Sequence, residues 1–170
     1  MKSLNLQGTI VLQKNLNATT RIVVNQGGTR SSKTYSLAQL IILRALQEQG
    51  KVYTICRKTL PALKSSAYRD FFNILEHHNL YNPNKHNKSE LTYKLNNNLI
   101  EFISVDMSDK VRGRQRQVLW MNEATEFSMD DFVQLSLRCT ENIYLDFNPS
   151  DPYSWIYDKV MTRDDCTFIK

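Results

Sequence analysis

The chain is short of the residues that mark several common classes of protein. Its three cysteines, Cys56, Cys139 and Cys166, are odd in number, widely spaced and form no CxxC pair. A disulfide framework or a zinc site is therefore not expected, and reduced thiols are. The three histidines, His77, His78 and His86, make no ligand pattern. No apolar run is long enough to span a bilayer, and the N-terminus lacks the apolar stretch of a secretory signal, so an intracellular, soluble protein with no membrane partner is expected. There are no internal repeats and no low-complexity linker to divide the 170 residues, a length that suits one domain.

What is present fits an ordinary globular chain. Hydrophobic residues make up 41% and charged residues 23%, enough apolar material for a core and too little charge for wholesale disorder. The net charge of +5 is compatible with nucleic acid or nucleotide phosphates as partners without requiring them.

Residues 1–19 are polar and rich in Asn and Gln, with one apolar patch at Ile10 to Leu12, and read as a loose lead-in. Buried strands are expected at residues 21–25, 52–56, 118–121 and 143–147, the last closed by Pro149. Helical spacing is expected over 33–49, 65–78, 129–138 and 155–161. Residues 91–94 and 99–104, joined by Asn96-Asn97-Asn98, read as an inserted β-hairpin. Strands alternating with helices argue for an α/β domain around a mostly parallel sheet flanked by helices.

The most informative stretch is Gly27-Gly28-Thr29-Arg30-Ser31-Ser32-Lys33-Thr34, between a strand and a helix. A phosphate loop needs that context, because the chain must curl until successive N–H groups and a helix N-terminus converge on an anion. Gly28, Thr29, Arg30, Ser31 and Ser32 would form the cradle. Lys33 would reach the β- and γ-phosphates of ATP, and the Thr34 hydroxyl would coordinate Mg²⁺. Ser32 stands where a second glycine is usual, and serine prefers negative φ. A Gly-Gly turn followed by a capped helix is the bland alternative.

A phosphate loop needs a second strand that delivers carboxylate chemistry. Val118-Leu119-Trp120-Met121 runs into Asn122-Glu123, polar residues at the end of a strand where open α/β sheets bind ligands. Glu123 would orient and polarise the attacking water. Asn122 would accept a hydrogen bond from Thr34 or from a Mg²⁺-bound water. Asn148, at the tip of another strand, could sense the γ-phosphate if that strand lies between the other two, as in P-loop ATPases of the additional-strand, catalytic-glutamate type. A turn-forming Asn-Pro serves equally well there.

With these segments in hand, the chain resembles the ATPase domain of phage terminase large subunits. The resemblance runs from about residue 20 to the end and rests on GGTRSSKT, ICRKT, WMNEATEF and LDFNPSDPYSWIY. It implies ATP hydrolysis that drives viral DNA into a procapsid, in the cytoplasm of the infected bacterial host. Double-stranded DNA, a small terminase subunit, the portal protein and a homo-oligomeric ring are the implied partners. It also implies a single ATPase domain over 1–170, incomplete at its C-terminus, with the family's nuclease domain absent. Relatives often place an arginine where Thr29 stands, so whether Arg30 meets the γ-phosphate stays open. Lys110, Arg112, Arg114 and Arg116 make a basic segment that could meet DNA or a neighbouring subunit, or simply be solvated. Arg57 and Lys58 could face nucleotide or DNA, and Arg138 could be an arginine finger or cap a helix end. A helicase-like translocase, a small nucleotide kinase and a non-hydrolysing nucleotide-binding module are the rival readings.

Overall fold

A computed structural model describes residues 8–28, 32–107, 114–150, 152 and 154–170. Its strands are β1 (Ile22–Gln26), β2 (Val52–Arg57), β3 (His86–Asn87), β4 (Thr92–Leu95), β5 (Asn98–Ser104), β6 (Arg116–Met121), β7 (Cys139–Phe147) and β8 (Cys166–Ile169). They form one sheet in the order β3-β4-β5-β2-β6-β7-β1-β8. Among the described residues, the pairs from β5 to β8 are parallel, and β3–β4 and β4–β5 are antiparallel. This is the expected P-loop α/β fold, with β7 between β6 and β1. The expected hairpin is β4–β5, turned by Asn96 and Asn97 at φ 49° and 62°. It is less an insertion than an extension, since β5 also pairs in parallel with β2.

Helices cover both faces: α1 (Ile10–Asn17), α2 (Lys33–Gln47), α3 (Leu60–Leu63), α4 (Arg69–His77) and α5 (Met129–Ser136), with π-helical segments at Lys64–Tyr68 and Ile156–Val160. Period-two alternation splits each strand between two cores. Val23, Val118, Trp120 and Tyr144 join Leu37, Ile41 and Phe71 on the side of α2 and α4. Ile22, Val24, Leu119, Met121, Leu145 and Phe147 join Phe132, Ile156 and Val160 on the side of α5. Carried one step further, the same alternation puts Asn25, Asp146 and Asn122 on the α2 side at the C-terminal ends of β1, β7 and β6. Register pairs Asn25 with Asp146, and the step after Met121–Leu145 brings Asn122 beside Asp146. The sheet thus ends in a row of buried polar side chains next to the start of α2.

The structure departs from the sequence expectation in several places, among them a short helix α3 and the two-residue strand β3. Residues 10–17 form a helix, capped by the Thr9 hydroxyl accepting from the Leu12 N–H. It is held largely by polar contacts: Asn15 and Asn25 exchange amide hydrogen bonds of 2.7 and 3.0 Å inside the protein, and Thr9 meets Ser36 at 2.6 Å. Strand β8, along the outer side of β1, is a further addition. Arg116, expected in a basic loop that meets DNA or a neighbouring subunit or is solvated, is instead fully buried in β6, while Arg114 pairs with Glu101 at 3.0 Å. Lys110 and Arg112 lie outside the described residues.

Candidate active site

The site is built where α2 begins. Ser32 takes the left-handed conformation, φ 58° and ψ 14°, directly before the helix. The serine thus adopts the backbone state a glycine would take there, at a strain of roughly 1 kcal/mol. A Cβ on Gly28 would meet no described atom within 4 Å. Thr29, Arg30 and Ser31, expected in the cradle, lie outside the described residues.

Lys33 is only 6% exposed. Its ammonium donates to the carbonyls of Gly27 (2.7 Å) and Gly28 (3.1 Å) and to Asn148 Oδ1 (3.0 Å). The tips of β1 and β7 therefore hold the lysine at the loop. Thr34, in the first turn of α2, accepts from Asn122 Nδ2 at 3.3 Å. Two side-chain bonds thus tie the start of α2 to both strand tips that the sequence had singled out.

The sequence expectation made Asn122 an acceptor towards Thr34. The amide is turned the other way, and its surroundings explain why. Its nitrogen donates to both oxygens of Asp146, at 3.0 and 3.2 Å, and its oxygen lies 3.0 Å from the Ser66 hydroxyl. An ionised carboxylate can only accept, so it selects the amide's NH₂ side.

Asp146 and Ser66 are the residues sequence reasoning missed. Asp146 is fully buried and also accepts from Trp120 Nε1 at 2.6 Å and from the Glu123 backbone N–H at 3.3 Å. Burial pushes its carboxyl up from the ordinary range, against the opposing pull of Trp120, Asn122 and the Glu123 N–H. The signal was an acid at a core-facing position within an apolar strand. Ser66 sits on the π-helical turn Lys64–Tyr68, an irregularity common near functional sites. It accepts from Arg57 Nη1 at 2.7 Å, and its single proton is shared between Ala62 O (2.7 Å) and Asn122.

Glu123 ends the row. Its backbone is left-handed, φ 53°, a conformation a glutamate takes only at a cost of roughly 1–2 kcal/mol. Half-buried, its carboxyl is pushed up first by desolvation and then by the charge of Asp146, with Arg57 and Lys33 opposing. A carboxylate tuned upward beside an ammonium is suited to polarising water. Arg57 itself binds Glu126 at 3.2 Å and the Ala62 carbonyl at 3.1 Å, so it faces this strand tip. Lys58 instead pairs with Asp131 at 2.8 Å, and Arg138 is exposed beyond α5.

The model for the phage terminase large subunit family matches residues 19–169. No curated protein sequence matches the chain. Among solved structures, the large terminase of a thermophilic bacteriophage aligns with a TM-score of 0.81 at 16% identity, over 94% of this chain and 43% of that one. The large terminase ATPase domain of Thermus phage P74-26 aligns with a TM-score of 0.76 at 14% identity, covering 98% of this chain and 81% of that one. The bacteriophage HK97 large terminase gives 0.65 at 12% identity, over 94% and 36%. At these identities the structural likeness concerns the fold. The chain spans under half the length of the first of these terminases. With a family match over nearly its whole length, the chain belongs to the phage terminase large subunit family.

Proposed function

We propose that this chain is the ATP-hydrolysing part of a DNA-packaging motor. The observation that carries the proposal is the convergence of Lys33, Thr34, Asn122, Glu123 and Asn148 at one end of the sheet, through Lys33–Asn148 at 3.0 Å and Asn122–Thr34 at 3.3 Å. One relative adds support: the large terminase of the thermophilic phage has been solved with ADP and with ATP-γ-S.

In this reading the loop from Gly28 through Ser32 cradles the phosphates with its N–H groups, and Lys33 moves from its carbonyl partners to the β- and γ-phosphates. The residues fit a Mg²⁺–nucleotide: a hydroxyl in the first helical turn, an ammonium at the loop and a half-buried carboxylate at the adjacent strand tip that feels the charge of that ammonium. Mg²⁺, held by Thr34 and the nucleotide, supplies charge neutralisation on the phosphate oxygens. Asn122 serves that metal through Thr34. Glu123 orients and polarises the attacking water, Asn148 reads the γ-phosphate from the strand between, and Arg30 is the loop's candidate for the charge that develops during transfer.

The motor assignment follows from the family. The work of hydrolysis would move double-stranded viral DNA through the portal of a procapsid, from a homo-oligomeric ring recruited by a small terminase subunit, in the host cytoplasm. The test is phosphate release by the purified chain, alone and with linear duplex DNA. Mg²⁺-dependent release that Lys33→Ala abolishes supports the reading. Transfer of phosphate to a nucleoside monophosphate, or tight ATP binding without release, would replace it with a kinase or a binding module.

A further inference from the structure

The site contains a carboxylate that the scheme above does not use. Asp146 lies on β7, one strand from the acidic tip of β6 and one from the phosphate-loop strand β1. Its partners are the Trp120 indole N–H at 2.6 Å, the Asn122 amide at 3.0 and 3.2 Å and the Glu123 backbone N–H at 3.3 Å. Every one of these groups donates, and none offers a lone pair to a protonated acid. This is a shell built around a negative charge. The same Asn122 nitrogen has a second hydrogen, and Thr34 Oγ1 lies 3.3 Å from it. An unbroken chain therefore runs from Asp146 through the Asn122 amide to the Thr34 hydroxyl.

At the tip of β6 the amide brings shape but no charge. We propose that Asp146 supplies, from the neighbouring strand, the negative charge that Asn122 lacks, and that the Asn122 amide relays it by positioning the Thr34 hydroxyl for the metal-bound nucleotide. Asp146 is then a positioning residue that acts through Asn122. With the amide donating into one lone pair of Thr34 Oγ1, the other lone pair stays available to a cation. The carboxylate also holds the Glu123 N–H, so one buried charge sets both the metal-facing hydroxyl and the backbone of the residue that faces water. The inference rests on the nucleotide reading of this site and adds the source of its charge.

If charge and relay form one unit, the two groups are exchangeable only together. Asp146→Asn leaves two amides facing each other and no charge. Asn122→Asp puts two carboxylates about 3 Å apart inside the protein, where like charges oppose ionisation of both. Asn122→Asp with Asp146→Asn restores one carboxylate and one amide. The experiment measures ATP-γ-S affinity by calorimetry for the parent, both single variants and the double variant, each in Mg²⁺ and in EDTA, with a thermal melt of each. Each single change is expected to lower the Mg²⁺-dependent gain in affinity roughly tenfold or more, the range of one charge-assisted hydrogen bond. The double variant is expected to recover it to within about threefold of the parent.

An Asp146→Asn chain that melts lower but keeps its Mg²⁺-dependent gain shows a purely structural carboxylate and overturns the proposal. So does a double variant no better than the worse single, in either affinity or folding. Failure of the parent chain to bind ATP-γ-S removes the nucleotide reading itself, whereas binding by the parent that Asp146→Asn leaves untouched removes only this inference.

Discussion

The two ends of helix α2 both carry charge at least partly withdrawn from solvent, and they treat it in opposite ways. At its C-terminal end Arg44 binds Glu48 at 2.9 Å and reaches Asn142 and the Tyr144 hydroxyl at 2.9 and 3.1 Å. Lys51 bridges Glu48 at 3.0 Å and Glu141 at 2.6 Å, and the Tyr53 hydroxyl donates to Glu48 at 2.6 Å. Cations and anions alternate there. Burial alone would push the Glu48 carboxyl up, but bonds from Arg44, Tyr53 and Lys51 outweigh it and hold that carboxyl below its ordinary value. At the N-terminal end the balance is reversed. Asp146 and Glu123 are both pushed up, and Ser32 and Glu123 hold left-handed backbone. A network whose members favour each other's charged forms supports folding. A row in which burial outweighs the donors around its carboxylates is suited to a ligand that completes it.

The comparison breaks most sharply at Lys33. Lys33→Ala is expected to lower ATPase activity by at least about 10²-fold and to abolish nucleotide binding, since the ammonium sits at the loop proposed to hold the phosphates. Phosphate release and nucleotide titration check it, and a variant that hydrolyses like the parent would end the phosphate-loop assignment. Glu123→Gln is expected to separate the two functions, retaining ATP-γ-S binding while turnover falls roughly 10²–10⁴-fold, because glutamine keeps the shape and loses the basicity. Neither change should lower the melting temperature by more than a few degrees. Loss of folding in either would make the site end a stability network like the other.

The opposite end should give the mirror image. Glu48→Gln removes the negative charge shared by Arg44, Lys51 and Tyr53 and replaces one of its two accepting oxygens with a donor. Bonds to a charged group, discounted for the partial exposure of this one, put the loss at about 1–2 kcal/mol of stability. Nucleotide affinity should not change. The Glu48 carboxyl is held below its ordinary 4.5, so its contribution is complete above about that pH and fades as pH falls through the lower, folded-state value. Parent and variant should therefore converge in acid in denaturant melts taken from neutral pH downward. A gap that widens in acid would mean the network does not favour the charged carboxylate.

Much of this division was legible in the sequence. Apolar runs gave β1, β2, β6 and β7, helical spacing gave α2, α4 and α5, and the topology puts Lys33, Thr34, Asn122, Glu123 and Asn148 at one end of the sheet. Features held by polar tertiary contacts were not legible. Helix α1 buries only Leu12 and Asn15, too thin a stripe to stand out as a periodicity. Its anchor, the Asn15–Asn25 amide pair, exists only once β1 is placed beside it. Ser66 reaches Asn122 across 56 positions of sequence from a π-helical turn that no spacing rule announces. Asp146 was visible but was read as part of a strand. Its meaning depends on β7 lying beside β6, because only that adjacency turns an acid in an apolar run into the partner of a strand-tip amide.

The finest test lies inside the site end, between the two groups that fix the Asn122 amide. Ser66 holds its oxygen and Asp146 its nitrogen. The hydroxyl contact is neutral, whereas the carboxylate contact is charge-assisted and roughly twice as strong. If Ser66 is removed, flipping the amide would set its oxygen against the Asp146 oxygens, so the amide should keep its orientation. Ser66→Ala is therefore expected to change the Mg²⁺ dependence and rate of ATP hydrolysis by less than about threefold. It should still cost about 1–2 kcal/mol of stability, since the Asn122 oxygen is buried and Arg57 loses an acceptor in the same step. Metal titration of the ATPase and a denaturant melt measure the two effects separately. If Ser66→Ala shifts the metal dependence as far as Asp146→Asn does, the hydroxyl and not the carboxylate orients the amide. The functional weight of the site end would then rest on the helix that carries Ser66 rather than on β7.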